Sequence, residues 1–212
     1  MAKDRTKTTL VNFILDMSGS MELVKEATVS GFNEYVGGLK KDGNAYDFSL
    51  TMFDTILEKP YVSVPLKEVK TLDEKTYTPR GMTALYDAVM QTVKDVEAKM
   101  NPKSKSVVVI MTDGQENSSK EYTMANLKEA IDRLTKKGNW TFVFMGANQD
   151  SWATAQHFGM AQGNVIDYSS TNTGVRSAFV MMTTATSNLA SSGADSTITF
   201  FNAAVDATTK HL

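Results

Sequence analysis

Cysteine is absent from the 212 residues. Disulfides and thiolate metal sites are therefore excluded. Histidine is scarce, with only His157 and His211, so little general-base chemistry is on offer. Runs of Lys or Arg are missing, and the net charge is −2, which predicts no general affinity for nucleic acid or anionic membrane. The pairs Lys40-Lys41 and Lys136-Lys137 fall near expected helix ends, where cations suit the helix dipole. No stretch approaches the roughly 20 apolar residues that cross a bilayer. Residues 1–9 are charged, and the apolar run 10–15 is too short for the core of a signal peptide. The expectation is a soluble, cytoplasmic protein. Asn117-Ser118-Ser119 and Asn139-Trp140-Thr141 match the glycosylation pattern, which has no use in that setting.

What is present reads as alternating strands and helices. Residues 10–15 form a short, continuous apolar run, as a buried strand does. From Met21 to Leu39, apolar residues recur at helical spacing, and Lys40-Lys41-Asp42-Gly43-Asn44 ends the pattern. Strands are expected over 48–53 and 56–64. Their connection is too short for a parallel crossover, so this pair is antiparallel. Residues 71–81 read as a loop, broken by Pro79 and Gly81, and 83–100 as a helix. Residues 106–111 form the most apolar strand, of the kind buried on both faces of a parallel sheet. A helix over 122–137, a strand over 141–145, a short helix over 151–158, a strand over 165–168 and a helix over 175–189 complete the series. The pattern predicts an α/β fold with a doubly wound, mostly parallel central sheet, one antiparallel edge strand and helices on both faces. Residues 1–190 make one domain. Residues 191–212 are rich in Ser, Thr and Ala and are expected to be a weakly helical or partly disordered tail.

In such sheets ligands bind beyond the carboxyl ends of the strands, where the strand order reverses. The first strand ends in Asp16-Met17-Ser18-Gly19-Ser20, one carboxylate and two hydroxyls in a tight turn. The strand over 106–111 runs into Thr112-Asp113-Gly114, and Gly81-Met82-Thr83 presents a third hydroxyl at an expected helix start. Each piece alone has a plain reading as a helix cap or a turn. Together they offer hard oxygen ligands, which suit Mg²⁺ or Mn²⁺.

Asp16-x-Ser18-x-Ser20, then Thr83, then Asp113 resemble the metal-ion-dependent adhesion site (MIDAS) of the von Willebrand factor type A domain. The resemblance runs from about Thr9 to Leu189. Gly81-Met82-Thr83-Ala84-Leu85-Tyr86-Asp87-Ala88, Thr112-Asp113-Gly114-Gln115-Glu116-Asn117 and Met145-Gly146-Ala147-Asn148-Gln149-Asp150 are similar to a bacterial and bacteriophage subgroup. The resemblance implies a Rossmann-like fold and direct ligation of Mg²⁺ or Mn²⁺ by Ser18 and Ser20. It implies that Thr83 ligates directly or through water, with Asp16 and Asp113 typically acting through water. A carboxylate from a protein partner would complete the octahedron. Two carboxylates only balance a divalent cation, so the metal would favour an anionic further ligand.

A catalytic reading has little support in the sequence. There is no Gly-x-x-x-x-Gly-Lys-Ser/Thr phosphate loop, no Gly-x-Ser-x-Gly elbow, and no second aspartate two residues after Asp16. The alternative to a metal-dependent binding module is a structural or assembly protein whose metal loop has no function. A metal-dependent hydrolase is the weaker third reading. Among other residues, Asp54 reads as a turn residue, Asp87 as a structural acceptor of backbone bonds, and Asp150 as a helix cap. Arg80 either assists an acidic partner or is simply solvated. Met17, Met21 and Met82 either form an adaptable apolar rim or pack in the core.

Overall fold

The computed structural model describes residues 8–147 and 151–202. Six strands form one sheet in the order β3-β2-β1-β4-β5-β6. They are β1 (Thr9–Asp16), β2 (Tyr46–Phe53), β3 (Leu57–Pro65), β4 (Lys105–Thr112), β5 (Trp140–Ala147) and β6 (Val165–Tyr168). All neighbours are parallel except β2 and β3, which pair antiparallel at one edge. Among the described residues, four α-helices lie between strands, α1 (Lys25–Lys41), α2 (Leu85–Lys99), α3 (Met124–Thr135) and α4 (Ser151–His157), and a fifth, α5 (Asn172–Ser191), follows β6. The chain winds outward from β1 to β3 and then from β4 to β6, so the strand order reverses between β1 and β4. This is the doubly wound α/β fold that the alternating pattern predicts, Rossmann-like as the resemblance implies.

Every residue of β1, β4 and β5 is buried, because helices cover both faces. Successive side chains of β1 serve opposite layers. Val11, Phe13 and Leu15 pack with α1 and α5, while Leu10 and Ile14 pack with α2 and α3. Phe13 lies at the centre of the larger layer. Its ring centroid is 5.7 Å from Phe32, 5.6 Å from Tyr35 and 6.0 Å from Phe179.

Three local expectations change. The helix expected from Met21 begins instead as a 3-10 turn over Gly19–Val24, and α1 starts at Lys25. The tight turn at 16–20 leads into i→i+3 bonding, with Met21 N–H donating to Ser18 O at 3.1 Å. Second, α2 starts at Leu85, so Thr83 precedes the helix rather than opening it. Third, the end of the described tail, residues 197–201, bonds to and packs on the domain, while 192–195 are exposed. Phe200 and Phe201 are buried in the larger core. Phe200 N–H donates to Asn164 Oδ1 at 2.9 Å, and Phe201 N–H to Gly163 O at 3.0 Å. The buried Lys105 ammonium donates to the carbonyls of Leu189 (2.7 Å) and Ala194 (2.9 Å), fixing the chain as it leaves α5. The rest of the expected tail, residues 203–212, lies outside the described residues.

Candidate metal site

The parallel register sets Leu15 beside Met111, so β1 and β4 deliver Asp16 and Thr112-Asp113 to the same edge of the sheet. The turn after β1 folds back on its own carboxylate, with Ser18 N–H donating to Asp16 Oδ1 at 2.6 Å. The other carboxylate oxygen, Oδ2, accepts the Thr112 hydroxyl at 2.5 Å. Ser20 Oγ lies 3.2 Å from Ser18 Oγ and donates to Asp113 Oδ1 at 2.5 Å. A third segment closes the site. Arg80 N–H donates to Met17 O at 2.8 Å, and Gly19 N–H donates to Gly81 O at 3.3 Å. Gly81 makes this possible by taking φ +67°, a conformation that side chains disfavour.

Thr83 is brought in by that segment. The geometry at Gly114 shows where its hydroxyl stands. A Cβ placed on Gly114 would lie 2.9 Å from Thr83 Oγ1 and 3.6 Å from both Asp16 Oδ2 and Ser18 Oγ. Oxygens from two chain segments, the turn after β1 and the segment before α2, thus border one small space beside Gly114 that a methyl group would intrude upon. All five residues singled out from the sequence, Asp16, Ser18, Ser20, Thr83 and Asp113, are brought together. Asp16, Ser18 and Thr83 are buried, whereas Ser20 is exposed and Asp113 half-buried.

The donor set fits a hard divalent cation. Among the described residues, no group of three or more His, Cys, Asp or Glu side chains gathers in a way that could hold a metal. A cation here would therefore depend on two carboxylates and hydroxyls. A hydroxyl can donate its hydrogen to a carboxylate and still offer a lone pair to a cation. Burial pushes the Asp16 carboxyl up to about 6, against which the bonds from Thr112 and Ser18 act, while the Asp113 charge raises it further. Burial also raises Asp113, and the Ser20 hydroxyl works against that rise. Two partly desolvated carboxylates form a ready electrostatic site for a cation.

The neighbouring charged residues have other tasks. Arg80 is held by Asp54 at 2.9 Å and Glu58 at 2.5 Å, so it is more than simply solvated, and its side chain stays half exposed. Asp54 also accepts Ile56 N–H at 2.6 Å, which fixes the β2–β3 turn as its turn reading requires. Asp87 accepts the backbone N–H groups of Lys120 (2.8 Å), Glu121 (3.1 Å) and Tyr122 (2.9 Å). Met17 and Met21 are buried in the core, while Met82 is exposed. His157 is exposed at the end of α4, and Asp150 lies outside the described residues.

Two supporting residues escape a sequence reading. Tyr77, fully buried, donates its hydroxyl to Asp16 O at 2.6 Å and pins the strand end beneath the site. Glu116 accepts Tyr86 N–H at 3.0 Å and thereby caps the start of α2. It also accepts the N–H groups of Ser118 (2.9 Å) and Ser119 (2.7 Å). The motif around Asp113 contains Glu116, but nothing in its spacing names the target, and Tyr77 sits in a loop without periodicity.

The von Willebrand factor type A domain model matches residues 11–180, and the chain belongs to that family. No curated protein matches it by sequence. Among solved structures, it is similar to the PilB minor pilin from Streptococcus sanguinis, with 11% identity and TM-score 0.62, over 90% of this chain and 64% of the pilin. It is also similar to proximal thread matrix protein 1 from the mussel byssus with a zinc-occupied MIDAS motif. That match has 14% identity and TM-score 0.61, over 86% of this chain and 46% of the mussel protein. A von Willebrand factor type A protein from Catenulispora acidiphila matches with 16% identity and TM-score 0.56, over 86% of this chain and 43% of that one. This chain thus spans less than half of the mussel and Catenulispora proteins. Identities this low establish the shared fold alone.

Proposed function

We propose that this domain is a metal-dependent protein-binding module. Ser18, Ser20 and Thr83 would hold Mg²⁺ or Mn²⁺ through their hydroxyls, with Asp16 and Asp113 supplying the balancing charge. This is the MIDAS arrangement, and the motifs around it suggest the bacterial and bacteriophage subgroup. The cation's role would be to attract an Asp or Glu carboxylate of a protein partner. The observation that carries this reading is the small space at Gly114, bordered by oxygens of Thr83, Asp16 and Ser18. A mussel relative of the same fold with a zinc-occupied MIDAS motif supports it.

Electrostatics favour binding over catalysis here. Two carboxylates neutralise a divalent ion without overcompensating it, and hydroxyls add no charge, so an anionic ligand from outside remains attractive. The dipole of α2 does not oppose the cation strongly, because Glu116 already occupies the start of that helix. The surroundings also suit a protein surface. Leu23, Ile56 and Met82, on segments that follow β1, follow β2 and precede α2, are exposed by 84%, 63% and 52%. Met82 N–H donates to Thr55 Oγ1 at 3.2 Å, which ties the segments carrying Met82 and Ile56 together. We read the protein as a binder rather than an enzyme.

Titration with Mg²⁺ and Mn²⁺ tests the site, with wild type expected to bind and Asp16→Ala to lose binding. Equal binding by the two proteins would remove the assignment. Partner capture in Mg²⁺ and in EDTA then tests the use of the metal. Capture that survives chelation would instead favour an assembly protein whose metal loop is idle.

A further inference from the structure

Thr83 is the one hydroxyl of the site that comes from neither β1 nor β4. It stands ahead of α2, and the residue at the cap position, Ala84, has no polar side chain to bond the helix start. Its main chain is instead gripped from the loop after β4. Asn117 Oδ1 accepts Thr83 N–H at 2.8 Å. Asn117 N–H donates to Thr83 O at 3.0 Å, and Ser118 N–H donates to the same oxygen at 3.2 Å. Asn117 therefore holds Thr83 on both sides of its Cα. It lies four residues beyond Asp113 in one continuous loop, so the same contact ties the Thr83 segment to the Asp113 segment.

We propose that Asn117 is a positioning residue for the cation, acting through Thr83. This rests on the metal-binding reading above. Threonine is β-branched, and its χ1 choices are few. Once its main chain is fixed, the place of Oγ1 is nearly fixed as well. Loss of the Asn117 acceptor would release Thr83 on its N–H side while the main-chain bonds to its carbonyl remain, letting the residue tilt and carry the hydroxyl away from Asp16 and Ser18. The rest of the 113–122 loop would stay in place, because Glu116 and Asp87 bond it to α2 independently. Asn117 is thus separable from the fold in a way that those two carboxylates are not.

The experiment compares Asn117→Ala, Asn117→Ser and Asn117→Asp in the full chain. Mg²⁺ and Mn²⁺ affinities are measured by calorimetry, and urea unfolding is followed in EDTA. Outer-shell partners of metal ligands typically contribute about 10–100-fold in affinity. Asn117→Ala and Asn117→Ser are expected to weaken Mg²⁺ binding by about tenfold. Asn117→Asp keeps an acceptor for Thr83 N–H and is expected to bind at or above wild-type affinity. A purely structural role would lower stability in EDTA while leaving the affinity of the folded protein unchanged, and that result overturns the proposal. Equal losses in Asn117→Ala and Asn117→Asp overturn it too, since the acceptor would then not be what matters. Wild type that fails to bind either cation overturns the metal reading itself, and with it the purpose assigned to Asn117.

Discussion

Among the carboxylates near this rim of the sheet, two unlike pairs stand out. Asp87 and Glu116 are filled with main-chain donors: three N–H groups reach Asp87, and three more reach Glu116 together with the Ser119 hydroxyl. Asp16 and Asp113 are served chiefly by hydroxyls, from Thr112 and Ser20, with one N–H from Ser18 on Asp16. Main-chain donors are fixed dipoles that have no lone pair to share. Hydroxyls are two-sided and can face a cation while still donating. The first pair therefore acts as structural glue, while the second is left with unmet negative charge. Position along the chain does not separate them, since Asp113 and Glu116 are three residues apart. The chemistry of their donors does.

The largest expected effect tests the structural pair. Asp87→Ala strips the acceptor from three N–H groups that join the 113–122 loop to α2. Leaving such groups unsatisfied is expected to lower stability by about 3 kcal/mol or more. Urea unfolding in EDTA measures this. A loss below about 1 kcal/mol, the worth of one ordinary hydrogen bond, would mean that water replaces the carboxylate and that the two pairs are less distinct than their contacts indicate.

The next effect tests the other pair through pH. The Asp16 carboxyl titrates at about 6 in the fold against an ordinary 3.8. A carboxyl with a raised folded pKa binds its proton more tightly when folded, so the metal-free protein loses stability as pH rises through that interval. At about 1.4 kcal/mol per pKa unit, the loss attributable to Asp16 is on the order of 3 kcal/mol. Asp16→Asn should abolish this component, making the metal-free variant more stable than wild type at neutral pH and no more stable at acid pH. Saturating Mg²⁺ should restore wild type at neutral pH and do nothing for the variant. Parallel stability–pH curves for the two proteins in EDTA would show that Asp16 is not under this strain.

The same contrast explains what the sequence discloses. Strands over 10–15 and 106–111 are legible because a sheet covered on both faces demands unbroken apolar runs. Asp16, Ser18 and Ser20 are legible because their spacing is local, and Asp113 because it ends a strand of that kind. Thr83 is legible as a participant but not in its place. A threonine before a helical pattern reads as a cap, and the competing bond from Asn117, 34 residues away, leaves no local trace. Tyr77 is hidden for the same reason, since a phenol that donates to a carbonyl 61 residues earlier needs only an aromatic ring in an irregular loop. Phe200 and Phe201 are hidden by composition: two aromatic residues in a Ser/Thr/Ala-rich stretch do not announce a core contact.

The smallest change sharpens the location of the site within the rim. Gly114 is not in the left-handed region, so its main chain can accept alanine. The added methyl would meet Thr83 Oγ1 at 2.9 Å, close enough to push that hydroxyl aside, but would stand at ordinary distance from Asp16 and Ser18. Small overpacking of this kind is expected to cost about 1 kcal/mol, and the lost freedom of the unfolded glycine offsets part of it. The metal-free fold should therefore hardly change. Mg²⁺ affinity should fall by about tenfold, or ~1.4 kcal/mol, because the methyl occupies the space that the Thr83, Asp16 and Ser18 oxygens face. Calorimetry with Gly114→Ala and wild type measures the difference. Unchanged affinity would place the cation away from Thr83, toward the exposed Ser20–Asp113 side, and would leave Asp16 as a buried carboxylate with a structural rather than a ligand-binding role.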